Sequence, residues 1–159
     1  MTRHLWKLGL VPLAIACAVA AHAGRWRSHP PEAAPRARIT VGLQIVLAEV
    51  ADTQARKQRG LSGRTSLPAG HGMWFPYEVP GRLSFWMKGM LLPLDFVWVD
   101  DGVIVDLTEN VPPEGGASTL VRPRVPASGA LEVPAGTIAR WGWKVGDPVH
   151  VTPLPAERP

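Results

Sequence analysis

Four side chains in the second half of this chain are of types that bind or transform small polar molecules: Trp86, Lys88, Asp95 and Glu132. Three of them fall in the run Phe85-Trp86-Met87-Lys88-Gly89-Met90-Leu91-Leu92-Pro93-Leu94-Asp95. That run is too apolar for a free loop, and its glycine and proline break any helix. In an extended segment side chains alternate, so Trp86 and Lys88 share one face while Phe85 and Met87 share the other. With Phe85 and Met87 in the core, Trp86 becomes an exposed aromatic platform ringed by polar groups. Small β domains present such a surface to sugars and other small ligands. With the faces reversed, Trp86 is core and the site dissolves. Asp95 and Glu132 offer a second chemistry, because two carboxylates at the right separation act as general acid and base. Taken singly, each also has a structural reading. Asp95 would cap backbone N–H groups after Pro93, and Glu132 would pair with Lys88 or an arginine at the rim.

Other constellations carry less. Met73, Met87 and Met90 with His71 are soft ligands of the kind that hold Cu(I). They sit in apolar runs without dense repetition, however, which reads as methionine filling a core. No Cys/His cluster or His-Glu-x-x-His pattern supports zinc. No metal and no cofactor is assigned. Nucleophilic catalysis needs a base beside the nucleophile. From Ile39 onward the histidines are His71, in a glycine-rich turn, and His150, in a terminal strand. Ser84 near Asp95 reads as polar filler. Asp106 and Glu109 are further carboxylates in or beside strands. Arg122 and Arg124 flank Pro123 in an irregular connection from Glu109 to about Val125, which is either an anion-binding loop or a solvated one.

The elements that must position these groups are short. Ile39 to Val50 is β-branched and apolar, with Val41, Leu43, Ile45 and Leu47 at period two, and reads as one long strand. Asp52-Thr53 is a helix start, Gln54 to Arg59 the helix and Gly60 its stop. Further strands are expected at Gly72–Tyr77, Leu83–Lys88, Leu94–Val99, Val103–Thr108, Gly129–Val133 and Val149–Thr152. Asp101-Gly102 is the clearest hairpin signal. Gly136 to Trp141 makes a second short helix, stopped by Gly142. The fold class is mainly β, a small sandwich or barrel with two short helices.

Three ordered motifs carry a resemblance: Gly72-Met73-Trp74-Phe75, the Phe85–Asp95 run and Leu131-Glu132-Val133-Pro134-Ala135-Gly136. From about Leu43 to Val149 the chain resembles the family catalogued as domain of unknown function 192, small domains of bacteria and archaea. The resemblance implies the fold and names no reaction. At Gly60-Leu61-Ser62-Gly63-Arg64, a serine stands where the family's turn has methionine.

Charge distribution narrows the partners. The chain carries a formal net charge of +4. From Ile39 onward, however, it has eleven Lys and Arg against twelve Asp and Glu. A nucleic-acid partner would require positive charge concentrated on the folded domain, so none is expected. Residues 1–23 read as a secretory signal: Arg3, His4 and Lys7, then an apolar run, then Ala21-His22-Ala23. The alternatives are lipidation at Cys17, the only cysteine, or an uncleaved anchor. Each delivers the domain across the membrane, periplasmic or secreted, with membrane attachment only through the leader or a lipid. Residues 24–38 are Pro/Arg-rich and read as a flexible spacer, 39–152 as one domain and 153–159 as a disordered tail. The leading expectation is a non-catalytic envelope module binding a small polar ligand or carbohydrate. The rivals are an enzyme using Asp95 and Glu132 with Lys88 assisting, and a protein-interaction module whose partner covers Trp86.

Overall fold

The computed structural model describes residues 34–113 and 120–155. The expected leader over 1–23, Cys17, the first part of the spacer, the middle of the Glu109–Val125 connection and the end of the tail lie outside them. The domain opens with β1 (Arg36–Val41) and β2 (Gln44–Val50), antiparallel partners joined at Gly42-Leu43. The single long strand expected over Ile39–Val50 is therefore two. Gly42 takes a positive φ of 58°, and Leu43 stands 95% exposed at the turn. The turn also switches parity: Ile39 and Val41 are buried before it, Val46 and Ala48 after it, leaving Ile45 and Leu47 outward. β1 starts at Arg36, three residues before the expected boundary, because buried Ala37 between two exposed arginines continues its alternation.

The rest follows in order: α1 (Gln54–Arg59), β3 (His71–Gly81), β4 (Phe85–Trp86), β5 (Leu94–Asp100) and β6 (Val103–Val111), then β7 (Leu120–Val121), β8 (Ala127–Pro134), α2 (Thr137–Trp141) and β9 (Val149–Pro153). Seven strands form one sheet in the order β6-β5-β8-β3-β2-β1-β9, all antiparallel except the β2–β3 pair. Its two edges meet: Val103 bridges Pro148, and the Ile104 N–H donates to the Asp147 carbonyl at 2.9 Å. The sheet thus curls into a barrel-like form, which hides most of the edge that an open sheet would expose. β4 and β7 pair separately as a two-stranded ribbon.

Two apolar clusters lie on the two faces. The inner one draws on all seven strands, including Ile39, Val46, Trp74, Val97, Ile104, Leu131 and Val149, and is closed by Ile138 of α2 and by Trp143. The outer one lies on β3, β5, β6 and β8 under the β4–β7 ribbon and the neighbouring loops. Met73, Met87 and Met90 belong to it. Among the described residues no helix is long and apolar enough to cross a membrane.

The helices end where their caps dictate. Thr53 accepts the Arg56 N–H through its hydroxyl at 3.2 Å, and Gly60, with φ 49°, closes α1. Gly136 and Gly142, both left-handed, bracket α2. The β5–β6 hairpin turns at Asp101-Gly102, each at positive φ as its tight turn demands.

Candidate functional site

Sequence alternation places Glu132 on the outer face of β8, opposite Phe96 of β5 and Met73 of β3. The residues either side, Leu131 and Val133, point into the barrel. Glu132 is therefore a carboxyl group in an apolar wall, 5% exposed, and no hydrogen bond reaches its Oε2. It does not pair with Lys88 or with any arginine at the rim, contrary to expectation, because it is set back beneath the covering layer. Burial pushes its pKa up to about 8, so the group is mostly protonated at neutral pH.

Above Glu132 lies an open cleft of about 290 Å3 between α1 and the β4 segment. Leu61, Phe75, Phe85 and Met90 form its apolar walls, and Gln54, Gln58, Ser62 and Ser84 supply neutral polar groups. Lys57 and Arg59 bring positive charge from α1. Lys57 is held in place: its Nζ donates to the Pro76 carbonyl at 2.5 Å and sits 4.0 Å from the centre of the Tyr77 ring. Tyr77 also lines the cleft, and burial together with the nearby Glu132 carboxyl raises its pKa.

Trp86 stands at the rim, 52% exposed. Its orientation comes from its neighbours, since β4 is only two residues long. Phe85 packs edge-on to Phe75 at 4.9 Å and against Phe96 and Trp98 at 5.8 and 5.5 Å. Met87 is fully buried on the same side. With both neighbours fixed in the core, alternation turns Trp86 outward. Across the ribbon it faces Leu120, which is also exposed.

The four expected site residues therefore separate. Trp86 and Glu132 meet at one cleft. Lys88 is exposed and does not line it; the Ser62 hydroxyl donates to the Lys88 carbonyl at 3.1 Å. Asp95 lies on the other face of the sheet, opposite Val133, and is wholly buried. There it accepts the Asn110 N–H at 2.7 Å and the Ile138 N–H at 2.9 Å. It caps backbone as expected of its structural reading, but in β6 and α2 rather than after Pro93. A sheet thus separates the two carboxylates, and they cannot act together as acid and base on one substrate.

The arginines of the Glu109–Val125 connection are also engaged. The Arg124 guanidinium and backbone N–H both bind the buried Asp106 carboxylate, and Arg122 Nε donates to the Ser84 hydroxyl at 3.2 Å. Burial alone would raise the Asp106 pKa, but the hydrogen bonds and charge of Arg124 hold it below its usual value. Tyr77, Lys57 and the α1 glutamines escaped the sequence reading, because only the folded packing of α1 against β3 and β4 brings them to Glu132. One signal was available: Leu131-Glu132-Val133 sets an acid inside an apolar strand, which is rare without a purpose.

Fold and site together define a small barrel-like β domain with an outer-face cleft built on a buried acid. The chain belongs to the family domain of unknown function 192, described as uncharacterized ACR, which matches residues 37–151. Two crystal structures are similar to it. A protein of unknown function from Novosphingobium aromaticivorans DSM 12444 is 31% identical, with a TM-score of 0.70 over 77% of this chain and 89% of that one. A Sinorhizobium meliloti 1021 protein, described as a candidate transcription regulator, is 30% identical, with a TM-score of 0.66 over 74% and 92%. No curated protein matches the chain.

Proposed function

We propose that this domain is a non-catalytic binding module that takes a small polar ligand or carbohydrate in the Trp86–Glu132 cleft. The observation that carries this reading is the unpartnered Oε2 of Glu132 beneath an exposed tryptophan. An unpaired buried polar atom costs about 1–3 kcal/mol. A ligand hydroxyl or amide reaching it would offset that cost, while a sugar ring lies on the indole face. The polar side chains around the cleft give such a ligand further hydrogen bonds. The signal-like residues 1–23 support action in the periplasm or outside the cell, tethered if Cys17 is lipidated. Cell fractionation checks this; recovery in the cytoplasm with an intact leader would refute it.

Trp86→Ala is the test of the site. Ligand-observed NMR with a panel of mono- and disaccharides should show retention by the wild type and none by the variant. Stability should change by less than about 0.5 kcal/mol, as for surface positions. A loss of about 3–5 kcal/mol, the cost of truncating a core aromatic, would make Trp86 structural.

Trp86 and Leu120 together also favour a second reading, a protein partner seated on the β4–β7 ribbon. In that case sugars leave Trp86 unperturbed while a partner protein protects it. The regulator description of the S. meliloti relative would imply nucleic acid. The near-balance of charge from Ile39 onward lacks the cationic surplus on which duplex binding depends.

A further inference from the structure

The cleft's charge and its buried acid point to one kind of ligand. Among the described residues, Glu132 is the only acidic side chain lining it, while α1 contributes the cations Lys57 and Arg59. From β3 come Phe75 and Tyr77 and from β4 Phe85 and Trp86, while the β5 residue opposite Glu132, the buried Phe96, is uncharged and lies beneath the cleft rather than in its lining. A protonated carboxyl presents a hydrogen-bond donor as well as acceptors. A donor set in a cationic, half-apolar cleft suits a negatively charged acceptor. A ligand ammonium would have to ionise Glu132 within an apolar wall and approach two like charges.

We infer that the cleft selects a small ring-bearing carboxylate, whose acid group accepts the hydrogen of Glu132 while the ring lies on Trp86. The inference rests on the binding reading above and names its ligand class. Acidic sugars and aromatic acids share this chemistry, each combining a carboxylate with a flat apolar face. The hydrogen bond from a carboxylic acid to a carboxylate is charge-assisted and shorter than a neutral one. Lys57 and Arg59 add attraction at longer range. Because the donor is lost when Glu132 ionises, affinity declines as pH rises past about 8.

The test titrates glucuronate, benzoate, glucose and glucosamine into the full-length protein, following the Trp86 indole resonance at about pH 6 and about pH 9. Glucuronate or benzoate should bind at least about ten-fold more tightly than glucose at the lower pH. Its affinity should fall about ten-fold at the higher pH, as the protonated fraction does. Comparing the two acids tells an acidic sugar from an aromatic acid. Glu132→Gln keeps an N–H donor, so it should bind the same acid equally at both pH values. Arg59→Gln, at the exposed rim, should weaken the acid several-fold and leave glucose unchanged. Preference for glucosamine, equal binding of glucose and both acids, or a wild-type affinity indifferent to pH would overturn the inference and leave the binding site standing. If none of the four probes shifts Trp86, both the inference and the proposed function fall.

Discussion

Glu132 lines the cleft, yet its Oε2 is shut away from water and, among the described residues, from any hydrogen-bond partner. Glu132 keeps its proton in the folded state up to about pH 8, whereas in the unfolded chain it loses it near the ordinary 4.5. Between those values the folded state binds the extra proton. Stability therefore falls as pH rises from about 4.5 to about 8 and then levels off. The loss is on the order of a few kcal/mol, since each tenfold change in proton affinity is worth about 1.4 kcal/mol. Glu132→Gln should remove that slope: urea melts should match the wild type near pH 5 and exceed it in stability near pH 9. An unchanged slope in the variant would place the ionisation elsewhere. The residue types at this site were visible from the start, and alternation set Trp86 opposite Phe85 and Met87, but which of those faces is core was settled only by the packing of Phe85 and Met87. Which carboxylates share a face was not. Asp95 and Glu132 lie 37 positions apart in the sequence, and only the β5–β8 register, pairing Asp95 with Val133 and Phe96 with Glu132, sets them on opposite sides.

At the level of elements, boundaries with local causes were legible and those with distant causes were not. Thr53 and Gly60 delimit α1, and Asp101-Gly102 turns the β5–β6 hairpin, each through its own backbone chemistry. The break at Gly42-Leu43 was hidden because apolar residues continue at period two straight through it. The Leu83–Lys88 strand shrinks to Phe85–Trp86 because its partner is the short β7 rather than the main sheet. Asp95 illustrates how elements are joined. Its two oxygens hold the N–H of Asn110, at positive φ beside an irregularity in the β5–β6 register, and the N–H of Ile138 at the start of α2. Asp95→Ala leaves both donors unmet and should cost about 2–3 kcal/mol in chemical denaturation. A near-neutral result would mean that water replaces the carboxylate.

For the molecule as a whole, two buried acids pull stability in opposite directions along the pH axis. Asp106 is held ionised by Arg124, so its contribution is fully present above the unfolded carboxylate range and is lost as pH falls below that range through its lowered folded value. Glu132 penalises the alkaline side. The profile should peak near pH 5, and Arg124→Ala should move the acid-unfolding midpoint upward; an unmoved midpoint would mean that Asp106 gains nothing from its partner. The mainly β class and the curled sheet follow from short strands and close turns. The seam between β6 and β9 joins Val103 to Pro148, 45 positions apart in the sequence, and could not be read from either segment alone. That arrangement sets β1 beside β9, with the Leu154 N–H donating to the Arg36 carbonyl at 2.8 Å, so the domain begins and ends at one spot. Its connectivity is thus nearly circular. A permutant joined from Leu154 to Arg36 by a few glycines and opened at the exposed Asp101-Gly102 tip should fold and keep the cleft, since such tips tolerate cutting. By the same geometry, the domain could be inserted into a loop of a host protein without parting the host's own strands.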